Sequence, residues 1–146
     1  MTPVRVLFLC TGNSARSIIA EALLQKIGGS DFEVYSAGTE PRGLNPFTVR
    51  VLEREHLDAG SFRSKGLNEY LGQSFDYVIT VCDRAAEQCP IFPGDPQRIH
   101  WSFPDPAAVA GNDAVKMASF LETLRGLRRR IEPFVQVAVR AVAPGA

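Results

Sequence analysis

The near-continuous apolar run Val4–Leu9, and the change of period that follows it, constrain this chain more than any other stretch. A strand apolar on both sides needs cover on both faces, which is the condition of a central parallel strand in an α/β sheet. From Ser17 onward apolar residues recur at helical spacing. Ile19, Leu23 and Ile27 lie four apart with Ile18 and Ala22 beside them, and Gly28-Gly29 ends the run. Strand and helix leave Cys10-Thr11-Gly12-Asn13-Ser14-Ala15-Arg16-Ser17 as the tight loop between them.

That loop has the spacing cysteine, five residues, arginine. Backbone N–H groups from Thr11 to Ser17 can curl around one tetrahedral oxyanion, with the helix N-terminus adding positive potential from below. Arg16 can offer a planar fork of donors to two anion oxygens. Cys10 then stands where a nucleophile is wanted, in a setting that favours the thiolate, and the Ser17 hydroxyl could donate to it. A buried strand-end cysteine beside an ordinary turn shares the bare spacing. Gly12, Asn13 and Ser17 favour the site.

Further along, Phe32–Ala37 reads as a second strand closed by Gly38. Asn45-Pro46 opens a helix, asparagine as N-cap and proline in the first turn, with Phe47, Val51 and Leu52 facing inward. The looser stretch Gly60–Gly72 holds a short helix around Leu67–Leu71. Phe75–Val81 is a third strand ending at Cys82, and Ile99–Phe103 a fourth, with Ile99, Trp101 and Phe103 alternating. The last helix runs from Asn112-Asp113 to about Val139, and Pro133 should kink or split it. The ending 143–146 reads as frayed.

Strands alternating with helices call for a parallel sheet with right-handed crossovers, and such sheets bind ligands beyond the carboxyl ends of their strands. Cys10, Cys82 and the segment after Phe103 all fall at such ends. Adjacent strands lie about 4.8 Å apart, so two strand-end cysteines meet if strands one and three are neighbours.

A chain of 146 residues is expected to form a single domain over residues 1–146. Lys plus Arg equals Asp plus Glu, 16 each, so charge argues for neither nucleic acid nor membrane. Arg125, Arg128, Arg129 and Arg130 read as the wet face of the last helix. The start lacks the apolar segment of a signal peptide and no run reaches spanning length, so a cytoplasmic protein is expected. An odd cysteine count of three suits a reducing compartment.

Cys82 and Cys89 stand seven positions apart. A disulfide needs Cα atoms about 4.4–6.8 Å apart, whereas seven helical residues rise about 10.5 Å. Either the segment is already folded back or it rearranges on oxidation, and rearrangement is the expectation. Two incidental thiols are the alternative, and zinc a weaker one, with only His56 and His100 as further ligands. Both histidines read as a helix-end and a strand residue instead. Phe103-Pro104-Asp105-Pro106 places a carboxyl in a rigid loop after the fourth strand. Partly shielded from water, it could protonate a leaving oxygen; taken alone, the Asp-Pro pair is a turn.

Together these motifs resemble the arsenate reductases built on the low-molecular-weight protein tyrosine phosphatase fold. The resemblance rests on Cys10–Ser17, Ser36-Ala37-Gly38-Thr39, Val81–Pro93 with both cysteines, and His100–Ala107. It implies an α/β, three-layer domain whose four-stranded parallel sheet has the order 2-1-3-4, with helices on both faces. It also implies a mechanism. Cys10 attacks arsenate held by Arg16 and the amides of Thr11, Gly12, Asn13, Ser14, Ala15 and Ser17, while Asp105 protonates the departing hydroxide. Cys82 then attacks Cys10 sulfur and arsenite leaves. Cys89 moves the bridge to Cys82–Cys89, where an external thiol donor (thioredoxin, glutaredoxin with glutathione, or mycothiol) reduces it. No bound cofactor or metal is implied, phosphate and sulfate should compete, and the chain should act as a monomer.

Two positions depart from the pattern. Ala15 stands where some relatives have a cysteine outside the relay. Asn13, Glu21 and Ser36 match a potassium site of some members, but Lys65 replaces an acid there, so no potassium dependence is expected. A low-molecular-weight phosphatase is the nearest rival, since arsenate and phosphate are near-isosteric. It needs Cys10, Arg16 and Asp105 but neither Cys82 nor Cys89, and Pro106-Ala107-Ala108 lacks the aromatic pair that grips a phosphotyrosine ring. Weak activity on small aryl phosphates is expected. A sensor binding arsenite through its thiols would have no use for Asp105.

Overall fold

A computed structural model describes residues 2–142. The apolar run forms β1 (Val4–Cys10), and α1 (Arg16–Gly28) starts at the arginine of the loop. β2 (Phe32–Gly38), α2 (Pro46–Arg54), β3 (Tyr77–Thr80), α3 (Asp83–Glu87), β4 (Gln97–His100) and α4 (Asp113–Val142) follow. The parallel sheet has the order β2-β1-β3-β4, so the first and third strands are neighbours as the resemblance implied.

Register sorts the side chains onto two faces. Phe8, Phe32, Tyr77 and Trp101 face α4, where Phe134 meets the last three rings at 5.0–6.2 Å. Leu7, Tyr35, Val78 and Arg98 share the opposite face by register. Tyr35 packs there on Tyr70 and Phe75, with Phe92 behind.

Several expectations need correction. α1 is buried all round from Ser17 to Leu24, not along one stripe, because sheet and α4 enclose it. β4 lies at Gln97–His100, starting two residues and ending three residues before the expected Ile99–Phe103. The alternation is real, for Trp101 is buried and Phe103 half-buried. It continues past β4 with the backbone still paired, Trp101 N donating to Thr80 O at 2.8 Å and Phe103 N to Val81 O at 3.3 Å. Only 3-10 turns form at Ala59–Ser61 and Leu67–Glu69. α4 runs unbroken through Pro133. Proline removes one hydrogen bond to the carbonyl of Arg129, but Arg129 and Pro133 are both exposed, so water can satisfy that oxygen. Asn45 caps α2 as expected, its Oδ1 accepting from Phe47 N at 2.9 Å. The 143–146 ending lies outside the described residues.

Candidate active site

The loop is shaped from outside. The segment after β2 donates to its carbonyls: Thr39 N to Cys10 O, Glu40 N to Thr11 O, Arg42 N to Gly12 O and Asn45 N to Ser14 O, at 2.8–3.1 Å. A planar trans peptide points its C=O and N–H opposite ways. Turning these carbonyls outward therefore aims the N–H groups of Thr11, Gly12, Asn13 and Ala15 inward. Asn13 N donates to Cys10 Sγ at 3.2 Å. Close approach of the β2 end requires Gly38, where a Cβ would lie 2.5 Å from Thr11 O and 2.8 Å from Asn13 N. Ala15 offers α1 no side-chain cap and the first turn carries no acid, so its positive end is left for an anion.

Asn13 turns the loop with φ of 46°, in the left-handed region that asparagine tolerates. Its side chain is fully oriented: Oδ1 accepts from Lys65 N at 2.7 Å, while Nδ2 donates to Ser17 Oγ at 2.7 Å and Ser36 Oγ at 3.0 Å. Ser17 Oγ lies 2.8 Å from Cys10 Sγ, and because it already accepts from Asn13 its own proton is free to point at sulfur. Ser36 Oγ donates to Glu21 Oε1 at 2.5 Å, and Lys65 Nζ is 3.6 Å from that oxygen. Burial raises the Glu21 carboxyl and lowers the Lys65 ammonium, each opposed by the partner's charge.

Cys10, Thr11, Gly12, Ser14, Ala15, Arg16 and Asp105 line a cavity of about 30 Å³. Its volume suits one small group, and its walls are donors on every side but the acid's. Asn13 and Ser17 do not line it; fully buried, they act from behind. Arg16 Nη1 donates to Phe103 O at 2.9 Å, tying the guanidinium to the loop that carries Asp105. Asp105 itself is exposed, not partly shielded as expected, with Oδ1 accepting from Ala107 N at 3.0 Å. A larger cavity of about 320 Å³ among Gln25, Lys26 and His56 lies toward the far end of α1, and no cysteine lines it.

All three cysteines are free. Cys82 is buried beside the loop, its Sγ 3.3 Å from Thr11 Oγ1. Cys89 is not brought to them. A helix separates it from Cys82, and it sits half-buried against Arg98, whose Nη1 donates to Sγ at 3.2 Å. Burial raises the Cys89 thiol, with Arg98 opposing. Among the described residues no three His, Cys, Asp or Glu side chains cluster as a metal requires.

A family model for low molecular weight phosphotyrosine protein phosphatase matches residues 5–138. The chain belongs to that family. Within it, an arsenate reductase of Halalkalibacterium halodurans is 39% identical over 131 residues, 90% of this chain and 94% of the relative. The solved thioredoxin-dependent arsenate reductase of Corynebacterium glutamicum superposes with a TM-score of 0.75 at 29% identity, covering 96% of this chain. This chain spans 64% of that one. An arsenate reductase of Archaeoglobus fulgidus gives 0.73 at 27% identity, over 90% of this chain and 98% of its own.

The family's potassium donors do not fit an ion here, because the Lys65 ammonium stands 3.3 Å from Ser36 Oγ and beside Glu21. Sequence reasoning missed Arg42, which also lines the cavity mouth with its side chain 61% exposed. The strand order was its only signal, since order 2-1-3-4 lays the residues after Gly38 beside the loop of this family member. His100, read as a plain strand residue, bridges Thr80 Oγ1 at 2.7 Å and Asp83 Oδ1 at 2.8 Å.

Proposed function

We propose that this protein reduces arsenate to arsenite with thiol electrons. The observation that carries the reading is the second thiol beside the loop. Cys82 Sγ touches the side chain next to the nucleophile, a placement that ester hydrolysis would not use. The relatives named arsenate reductase add weight.

Cys10 thiolate attacks arsenic while Arg16, the loop amides and Arg42 hold the anion's oxygens, and Asp105 protonates the hydroxide, which leaves as water. Cys82 thiolate then attacks Cys10 sulfur. The sulfur–arsenic bond breaks and its electron pair stays on arsenic, taking it from the +5 to the +3 state as arsenite leaves. Two sulfurs have lost two electrons in forming the Cys10–Cys82 bridge. Cys89 thiolate attacks Cys82 sulfur and releases Cys10 thiolate, and an external donor returns two electrons to Cys82–Cys89. Each exchange needs an incoming thiolate and an accessible sulfur. Burial raises the Cys89 thiol, so its step is favoured once the segment opens and the thiol meets water.

A thioredoxin-type donor is favoured by the thioredoxin-dependent relative. Glutaredoxin with glutathione, or mycothiol, would act on the same bridge. Free thiols at the site suit a reducing, cytoplasmic setting, and among the described residues no helix is long and apolar enough to cross a membrane. Phosphate and sulfate compete for the cavity. Cys89→Ser should complete one turnover and accumulate Cys10–Cys82, seen by peptide mapping after arsenate. Sustained turnover by that variant with a dithiol protein donor removes Cys89 from the mechanism.

A further inference from the structure

We propose that the polar face of β4, through Arg98, His100 and the following Ser102, is a latch that holds the Cys82–Cys89 segment in its resting helix, so that Cys89 meets Cys82 only after the latch opens. The inference rests on the relay proposed above.

Residues 98, 100 and 102 alternate with Ile99, Trp101 and Phe103, so the two sets point to opposite sides of the extended chain. The apolar set serves the core. Each member of the polar set reaches the redox segment. Arg98 Nη1 donates to Cys89 Sγ at 3.2 Å and Nη2 to Pro90 O at 2.8 Å. His100 Nε2 pairs with Asp83 Oδ1 at 2.8 Å, its ring anchored by Thr80 at Nδ1. Ser102 Oγ donates to the same Asp83 oxygen at 2.9 Å. One strand edge therefore grips both ends of the segment, the residue after Cys82 and the residue pair Cys89-Pro90.

Little else holds α3. It has five residues, of which only Ala85 is buried. A cavity of about 150 Å³, lined by Val78, Thr80, Ala86, Cys89, Arg98 and His100 among others, lies between it and the sheet. Isolated helices this short do not persist in water. From the opposite side one exposed pair, Arg84 Nη2 to Glu40 Oε1 at 3.2 Å, meets α3. The latch bonds are exposed too and each contributes little alone, so the hold comes from several of them converging on both ends of the segment.

A latch answers a chemical need. If Cys82 and Cys89 pair before arsenate arrives, the thiol that must attack Cys10 is already spent. From its N-cap Cys82 to its C-cap Gln88 the helix rises about 9 Å, more than the roughly 4.4–6.8 Å that bridged Cα atoms allow.

Two readouts on reduced protein test the latch without arsenate. One is amide exchange at Asp83–Gln88. The other uses a Cys10→Ser background, where only Cys82 and Cys89 can pair. There a diazene oxidant takes two thiol hydrogens to become a hydrazine, and the rate of bridge formation is followed. His100→Ala should speed both by about fivefold, the upper end for losing one exposed hydrogen-bonded pair. His100→Gln, whose amide can still reach Asp83, should restore rates to within about 1.5-fold of the parent, which simple loss of packing would not do. Ser102→Ala removes only the exposed bond to Asp83 and should speed both by about threefold, a test that stands if His100→Ala misfolds. Parent-like exchange and oxidation in folded His100→Ala or Ser102→Ala overturn the latch. Failure of the wild type to form any Cys82–Cys89 bridge on arsenate overturns the relay instead, whatever the exchange rates are.

Discussion

The Lys65 ammonium lies 3.6 Å from Glu21 Oε1, 3.3 Å from Ser36 Oγ and 2.6 Å from Arg63 O, where a monovalent cation would otherwise have to sit. Turnover should therefore be unchanged by potassium added at constant ionic strength, and a severalfold rise would contradict this. From Lys65 and Ser36 the hydrogen bonds pass through Asn13 and Ser17 to the Cys10 sulfur, so the pair orients the nucleophile's partners without touching substrate. Tyr70, close to this pair, carries a pH signature. Burial pushes its hydroxyl up to about 12 from an ordinary 10.0. The folded protein keeps a proton that the unfolded chain releases, so this contribution is full below about pH 10 and is lost as pH rises toward 12. The fall in urea midpoint between pH 9 and pH 11 should be shallower in Tyr70→Phe; an equal fall would show that Tyr70 is not its source. At this level the sequence was legible where chemistry is local. Cys10 to Ser17 and the Asn45 cap lie within a few residues of their partners. Asp83 with His100 and Arg98 with Cys89 join separate elements, and neither pair has a spacing that announces it.

α4 shows where helical pattern and helical chemistry diverge. Its apolar stripe was readable, but of the kink or split that the proline rule predicted, the split does not occur and the helix continues through Pro133. The rule prices a lost bond and a ring clash; it does not know that the position faces water or that Phe134 is locked among Phe32, Tyr77 and Trp101. Pro133→Ala should restore the missing bond and raise stability by about 2 kcal/mol, the propensity gain less the entropy returned to the unfolded chain. Thermal unfolding reads this directly, and an unchanged or lower midpoint would mean the helix is already relaxed around the proline. β4 failed in the other direction. Its alternating residues were recognised, but alternation reports which way side chains point and not where the ladder ends. α1 likewise looked one-sided until sheet and α4 closed on both its flanks.

Across the molecule, the parallel order β2-β1-β3-β4 brings the carboxyl ends of β1 and β3 side by side and lays the Asp105 loop over the same rim. Alternating strand and helix signals were enough to expect a parallel sheet. The strand order came from the family resemblance, since apolar runs do not say which strand lies beside which. The Asp105 carboxyl was placed at the right rim, yet its exposure depends on how Pro106–Ala108 turns, which no local pattern specifies. If Cys82 serves electron transfer from sulfur and has no part in hydrolysis, as we propose, one variant separates the two reactions. Arsenite release and aryl phosphate hydrolysis, measured side by side in Cys82→Ser with a dithiol donor present, test that role most directly. Arsenite release should fall to background while the weak hydrolysis persists at the wild-type rate. Arsenite release continuing at the wild-type rate would contradict it.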